Sequence, residues 1–302
     1  MSKRTKPPFR ADHVGSLLRP AALKKAREKH ASGEINAAAL KFVEDREIGL
    51  VVKKQEETGL EAVTDGEFRR SWWHLDFLWG LDGVTKIDMG SGIAFSGTAT
   101  RAEGTRVNGE LGYSSHPMID HFKFVRAQTG RIAKMSIPAP SAIYGRPVPP
   151  AIDKDIYPDR ARFFDDLGRA YRDAVHAFAD AGCRYLQLDE VFIAMLCDPK
   201  YRQQMTDRGD NPETLANLYG DLINTAISDI PDDMSITMHL CRGNYKSTFM
   251  GSGGYDAVQE VLFNDINVDS YFMEYDDERS GGFEPLRLLP KGKTVVLGLV
   301  TT

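Results

Sequence analysis

The chain has 302 residues, 42% of them hydrophobic and 27% charged, with a net charge of -5, enough to bury one large core or two ordinary ones. The mild acidity argues against a nucleic-acid surface, no apolar stretch approaches the ~18 residues of a membrane span, and the basic start MSKRTKPPFR is followed by no apolar signal-peptide core. Three cysteines (Cys183, Cys197, Cys241) are sparse and odd in number, so a cytoplasmic protein with reduced thiols is expected rather than a disulfide framework.

In chain order, RADHVGS (10–16) is the first strand candidate. A stripe of Leu40, Val43, Ile48, Val51 and Val52 predicts a helix that ends at Gly59, followed by the strand EAVTDGE (61–67). Residues 83–115 are rich in Gly, Ser, Thr and Asn, and their alternating runs predict an antiparallel hairpin excursion. KMSIPAP (134–140) is a third strand, and a proline-rich loop covers 145–158. Phe164, Leu167, Tyr171, Val175 and Phe178 recur at helical spacing ahead of Gly182, and the strand YLQLDE (185–190) follows. Asp210-Asn211-Pro212 opens another helix, through Leu215, Leu218, Leu222 and Ile223. SITMHLC (235–241), SYFMEYD (270–276) and TVVLGLV (294–300) complete seven strand candidates.

Short strands alternating with helices predict βα units on a parallel sheet. The expected fold class is α/β, a (β/α)8 TIM barrel forming one domain over 1–302, with the 83–115 hairpin inserted after the second strand. The eighth strand is missing from the chain as given and is expected beyond Thr302.

Polar residues collect at the C-terminal strand ends, where barrels place their chemistry: Ser16, Asp65, Glu67, Asp189, Glu190, His239, Cys241 and Glu274. His239 and Cys241 are two apart and share a strand face, so they offer imidazole nitrogen and thiolate sulfur to one cation. Taken alone, such a pair is more often a packed thiol beside a hydrogen-bonded histidine. Glu274 ends the next strand and can complete a His-Cys-Glu set, or pair at the rim with Arg279 or Arg242. Glu67 and Asp189 suit an ammonium group or proton transfer, or a structural network with Arg19, Arg69 or Arg70. Trp72, Trp73 and Tyr144 can stack on a flat ligand or pack as core. Ser16 can bind a carboxylate or cap a turn.

RADHVGSLLRP, VTDGEFRR, LQLDE, MHLCRGN and FMEYDDERSGGFEPL together resemble the catalytic barrel of the cobalamin-independent methionine synthase family, above all its short single-barrel members. The resemblance runs from about residue 9 to the end. It implies homocysteine methylation from a methylfolate-type donor, with Zn2+ held by His239, Cys241, Glu274 and a second cysteine on the last strand. It further implies homocysteine binding by Ser16, Glu67 and Asp189, with Asp189 and Glu67 as the catalytic acids, and a folate-stacking region near Ser141 to Tyr144. Two features depart from the family: no cysteine follows Cys241, and the seventh strand end reads GLVTT, without the family's histidine. The alternatives are a zinc–thiolate transferase using another electrophile (methylcobalamin, an epoxide or another small alkyl donor) and a non-catalytic ligand-binding barrel. The expected partners are small molecules; neither a nucleic acid nor a membrane is expected, and homo-oligomerisation is left open.

Overall fold

The computed structural model describes residues 4–90, 102–146, 151–244 and 249–300, and the backbone alone at 94–95 and 98–99. After α1 (Ala21–Ala31), the long helix α2 (Ala37–Glu57) starts where the Asn36 side chain accepts from the Ala39 amide. It ends at Gly59 in the left-handed region (φ 86°), and β1 (Ala62–Val63) follows. The short helix α3 (Leu75–Leu78) leads into the predicted excursion. There β2 (Asp82–Asp88) pairs antiparallel with β5 (Glu103–Gly112), and between them the backbone pairs β3 (Ala94–Phe95) with β4 (Thr98–Ala99).

Helix α4 (Pro117–Gln128) precedes β6 (Ile132–Ala133) and β7 (Met135–Pro138), one extended run separated only by Lys134. The 145–158 segment, expected to be a loop throughout, contributes β8 (Ala151–Ile152), which lies parallel to β5; residues 147–150 fall outside the description. Helix α5 (Arg160–Asp180) buries all five residues of its predicted stripe and ends ahead of Gly182, also left-handed (φ 88°). At ~1.5–3 kcal/mol for each large apolar side chain buried, that face gives α5 its hold on the core. β9 (Tyr185–Glu190), α6 (Phe192–Met195), α7 (Pro199–Asp207) and α8 (Pro212–Ala226) follow, the last capped by Asn211 with proline at its first turn, as predicted. β10 (Ser235–Leu240), β11 (Ser270–Glu274) and β12 (Thr294–Gly298) complete the strands.

β7, β9, β10, β11 and β12 form one parallel sheet in chain order, and β6, continuous with β7, carries the order on to β1. The architecture is therefore α/β, with parallel strands curving in sequence and helices outside. The described strands form an open arc, not a closed ring of eight. The first strand candidate, 10–16, is not a strand. Its backbone is bonded to side chains instead: the Asp12 carboxylate accepts from the amides of Phe9 and His13, and the Gly15 carbonyl accepts from Thr64. No described helix is long and apolar enough to cross a membrane.

This N-terminal segment plugs the end of the arc where the strands begin. Phe9 packs with Ala62, Tyr185 and Phe272. Lys134 Nζ donates to Asp12 Oδ1 (3.2 Å) and to the His13 carbonyl (2.6 Å), and it lies 4.1 Å from the Phe272 ring centroid. Tyr185 Oη donates to Asp12 Oδ2 (2.8 Å).

Candidate functional site

The other end of the arc carries the chemistry. Successive inward residues of β9 are Tyr185, Gln187 and Asp189; on β10 they are Thr237 and His239, with Cys241 just beyond. The ladder register sets His239 beside Asp189 and pairs Leu240 with Met273, so Glu274 comes level with Cys241. One ligand atom from each of His239, Cys241 and Glu274 falls within 4.8 Å of the others. Nitrogen, sulfur and oxygen donors converging at that spacing suit a divalent cation of borderline softness.

The histidine is oriented for this. Asp189 Oδ1 lies 3.4 Å from His239 Nδ1, and Glu274 Oε1 lies 3.7 Å from Nε2. A carboxylate on one ring nitrogen holds the tautomer that leaves the other nitrogen's lone pair for a metal. Burial opposes the imidazolium, yet the two carboxylates outweigh it and raise His239 to about 9 when no cation is present. Burial, with Glu274 adding to it, pushes the Cys241 thiol up to about 12.

Glu67 approaches from the turn after β1. It is a non-glycine residue with φ 59°, next to Gly66 at φ 65°, so the backbone here is held in a costly conformation that commonly marks functional sites. Its amide is received by Asp65, and its Oε1 faces Ser136 Oγ (3.3 Å) and Arg70 Nη1 (3.4 Å). Burial raises its pKa; Arg70 opposes that, and the charges of Asp189 and Asp65 add to it. A β-carbon at Gly66 would sit 2.8 Å from the Phe68 ring, and the positive φ penalises any side chain there. Gly66→Ala is therefore expected to cost about 1–3 kcal/mol, read as a lower denaturant midpoint at unchanged m-value.

Ser16 is exposed; its neighbours are anchored on this same turn, Leu17 N donating to the Gly66 carbonyl. Tyr144 belongs elsewhere. Its hydroxyl donates to Asp210, and guanidinium groups of Arg160 and Arg208 lie 4.7 and 4.5 Å from its ring centroid. Trp72 and Trp73 are partly buried, Trp73 beside the His74 ring at 4.3 Å. Glu190, paired with Asp189 in the sequence, is fully buried and bonded to Ser141 Oγ (2.6 Å) and the Ile193 amide; burial pushes it up to about 7.

The cluster thus unites Glu67, Asp189, His239, Cys241 and Glu274. Sequence reasoning overlooked Ser136 and Asn244. Ser136 was discoverable from its inward place in KMSIPAP; Asn244 lies in a loop after β10, where spacing carries no signal. Of the two rim partners considered for Glu274, the structure selects Arg279; Arg242 is buried against the Tyr255 ring at 4.5 Å.

The family described as "Cobalamin-independent synthase, Catalytic domain" matches residues 9–302. The chain belongs to that family. Among family relatives it is 48% identical to the uncharacterized protein YxjH of Bacillus subtilis (strain 168), over 99% of this chain and 79% of that one. A putative vitamin-B12 independent methionine synthase from Listeria monocytogenes superposes with a TM-score of 0.79 at 39% identity, over 99% of this chain and 82% of the other. A B12-independent methionine synthase from Shewanella sp. W3-18-1, solved with selenomethionine, shares the fold at a TM-score of 0.67 and 19% identity, over 94% and 78% of the two chains. Membership of this cobalamin-independent synthase family suggests a methyltransferase, and the His-Cys-Glu cluster falls inside the matched region.

Proposed function

We propose that this chain is a zinc-dependent S-methyltransferase acting on a small amino-acid thiol, homocysteine in the simplest case, with a methylfolate-type donor, and that its parallel arc is part of a (β/α)8 barrel. The observation that carries the reading is the convergence of His239, Cys241 and Glu274 ligand atoms within 4.8 Å. When bound there, zinc would lower the pKa of a substrate thiol and keep its sulfur nucleophilic at neutral pH.

The chain's own residues supply the rest. Asp189 Oδ1 is engaged by Gln187 and His239, while its Oδ2 makes no hydrogen bond among the described residues and remains an acceptor for the substrate ammonium group. Glu67, held by Ser136 and Arg70, supplies a second acceptor. Ser16, exposed and preceding Leu17, whose amide donates to the Gly66 carbonyl next to Glu67, would receive the carboxylate. In the reaction the donor–methyl bond breaks as the carbon–sulfur bond forms, the donor leaves with the bonding electron pair, and the thiol proton passes to solvent.

Glu67→Gln and Asp189→Asn are each expected to raise KM for the thiol about 10–100-fold, the loss of one charge-assisted hydrogen bond. Saturation kinetics at fixed donor checks this; a fall in kcat at unchanged KM would assign these acids a different role.

A second reading of the donor is favoured by one observation: cations lie against the Tyr144 ring, so the expected folate-stacking position is already occupied. The reading then keeps the thiol site and changes the electrophile to methylcobalamin or another small alkyl donor. Methionine formation, followed by mass spectrometry with methylfolate, methylcobalamin and small methyl donors in parallel, decides between them. No S-methylated product from any donor, with zinc bound, would contradict both.

A further inference from the structure

We infer that Asn244 and Arg279 are positioning residues that clamp the Glu274 carboxylate so that its remaining lone pairs face the cation; this rests on the metal reading above. A terminal carboxylate rotates freely about its last torsion, so a glutamate ligand at a strand end needs an outside hold to present one orientation. Here each oxygen is held from a different loop. Asn244 Nδ2 donates to Oε1 (2.8 Å), and Arg279 Nη2 donates to Oε2 (3.4 Å).

The orientation of the Asn244 amide is itself fixed. Arg279 Nη1 donates to Asn244 Oδ1 (3.0 Å), which leaves the Nδ2 end for Glu274. Arg279 is anchored in turn by both oxygens of Asp276 (3.2 and 3.1 Å), and its carbonyl accepts from the Gly253 amide. The side chains of Arg279, Asp276 and Glu274 are 6%, 7% and 10% exposed, so water screens little of this network.

Its placement gives it a purpose beyond packing. Asn244 follows the strand that bears His239 and leads into Cys241, while Arg279 follows the strand that bears Glu274. The clamp therefore references the carboxylate of one strand to the two donors of the other. Aspartate at 244 would have no N–H to give and would set a second charge against Glu274. Lysine at 279 would keep the charge and lose the fork that reaches Glu274, Asn244 and Asp276 together.

The test is zinc affinity, measured by chelator competition on the purified full chain and on Asn244→Ala, Asn244→Asp and Arg279→Lys, with thermal melts of the metal-free forms. The expected result is a dissociation constant about 10–100-fold higher in each variant, largest for Asn244→Asp, as for other groups that orient metal ligands. Arg279→Lys, which preserves the cation, keeps the test decisive if an Asn244 variant melts early. Affinities within about twofold of the parent in all folded variants would overturn the clamp while leaving the metal site standing. A parent chain that binds no zinc would instead overturn the metal reading, and the clamp with it.

Discussion

His239→Ala is expected to leave the purified protein with less than about a tenth of an equivalent of zinc where the parent holds about one, because removal of one of three converging donors leaves too few for a stable site. S-methyl transfer should fall by about a thousandfold or more, since a thiol without its Lewis acid loses several kcal/mol of activation. The substitution also removes an imidazole that bridges Asp189 and Glu274, leaving two buried carboxylates facing each other. His239→Gln retains a polar group of similar reach and separates the two effects: it should melt close to the parent and still fail to retain zinc. Metal content and thermal melting of both variants check this. Full zinc occupancy in His239→Ala would remove His239 from the ligand set.

The second large effect lies at the opposite end of the arc. Asp12→Ala should destabilise the chain by about 3–5 kcal/mol, the cost of leaving a buried charge without its partner. Asp12 answers Lys134, Tyr185 and two backbone amides at once, and the Asp12 and Lys134 side chains are each 1% exposed. Lys134→Met on top of Asp12→Ala should recover part of that loss, because the orphaned cation is gone, and the double-mutant cycle measures the coupling.

The same pair predicts a pH dependence. Burial, opposed by Asp12, lowers Lys134 from 10.5 to about 8. The unfolded chain therefore binds the extra proton more readily between those values, and this group's contribution to stability rises as pH goes from about 8 to about 10.5. Urea midpoints of the parent and of Lys134→Met should move in the parent's favour across that window. An unchanged difference would mean that Lys134 keeps its proton throughout.

The legible and illegible parts of the sequence divide along physical lines. Helix α5, the Asn211-capped α8 and the strands β9, β10 and β11 were readable because periodic burial and side-chain caps are local properties written at fixed spacing. The His239–Cys241 pairing and the proximity of Glu274 were readable for the same reason: two residues apart on a strand share a face, and neighbouring parallel strands end together. The segment 10–16 misled because its alternation is that of a strand, whereas its hydrogen bonds go to Asp12 and Thr64 side chains. The surroundings of Tyr144 are set by Arg160, at the start of α5, and Arg208, just after α7, and Asn244 lies in a loop. Contacts of that kind have no period, and only the fold reveals them.

In the proposed site His239 nitrogen, Cys241 sulfur and Glu274 oxygen grip a single cation. Zinc-edge X-ray absorption on the purified protein tests it most directly. One equivalent of zinc is expected, with the Cys241 sulfur at about 2.3 Å and nitrogen or oxygen neighbours at about 2.0–2.2 Å, and that sulfur contribution lost in Cys241→Ser. Zinc absent from the protein, or bound with no sulfur neighbour, would contradict it.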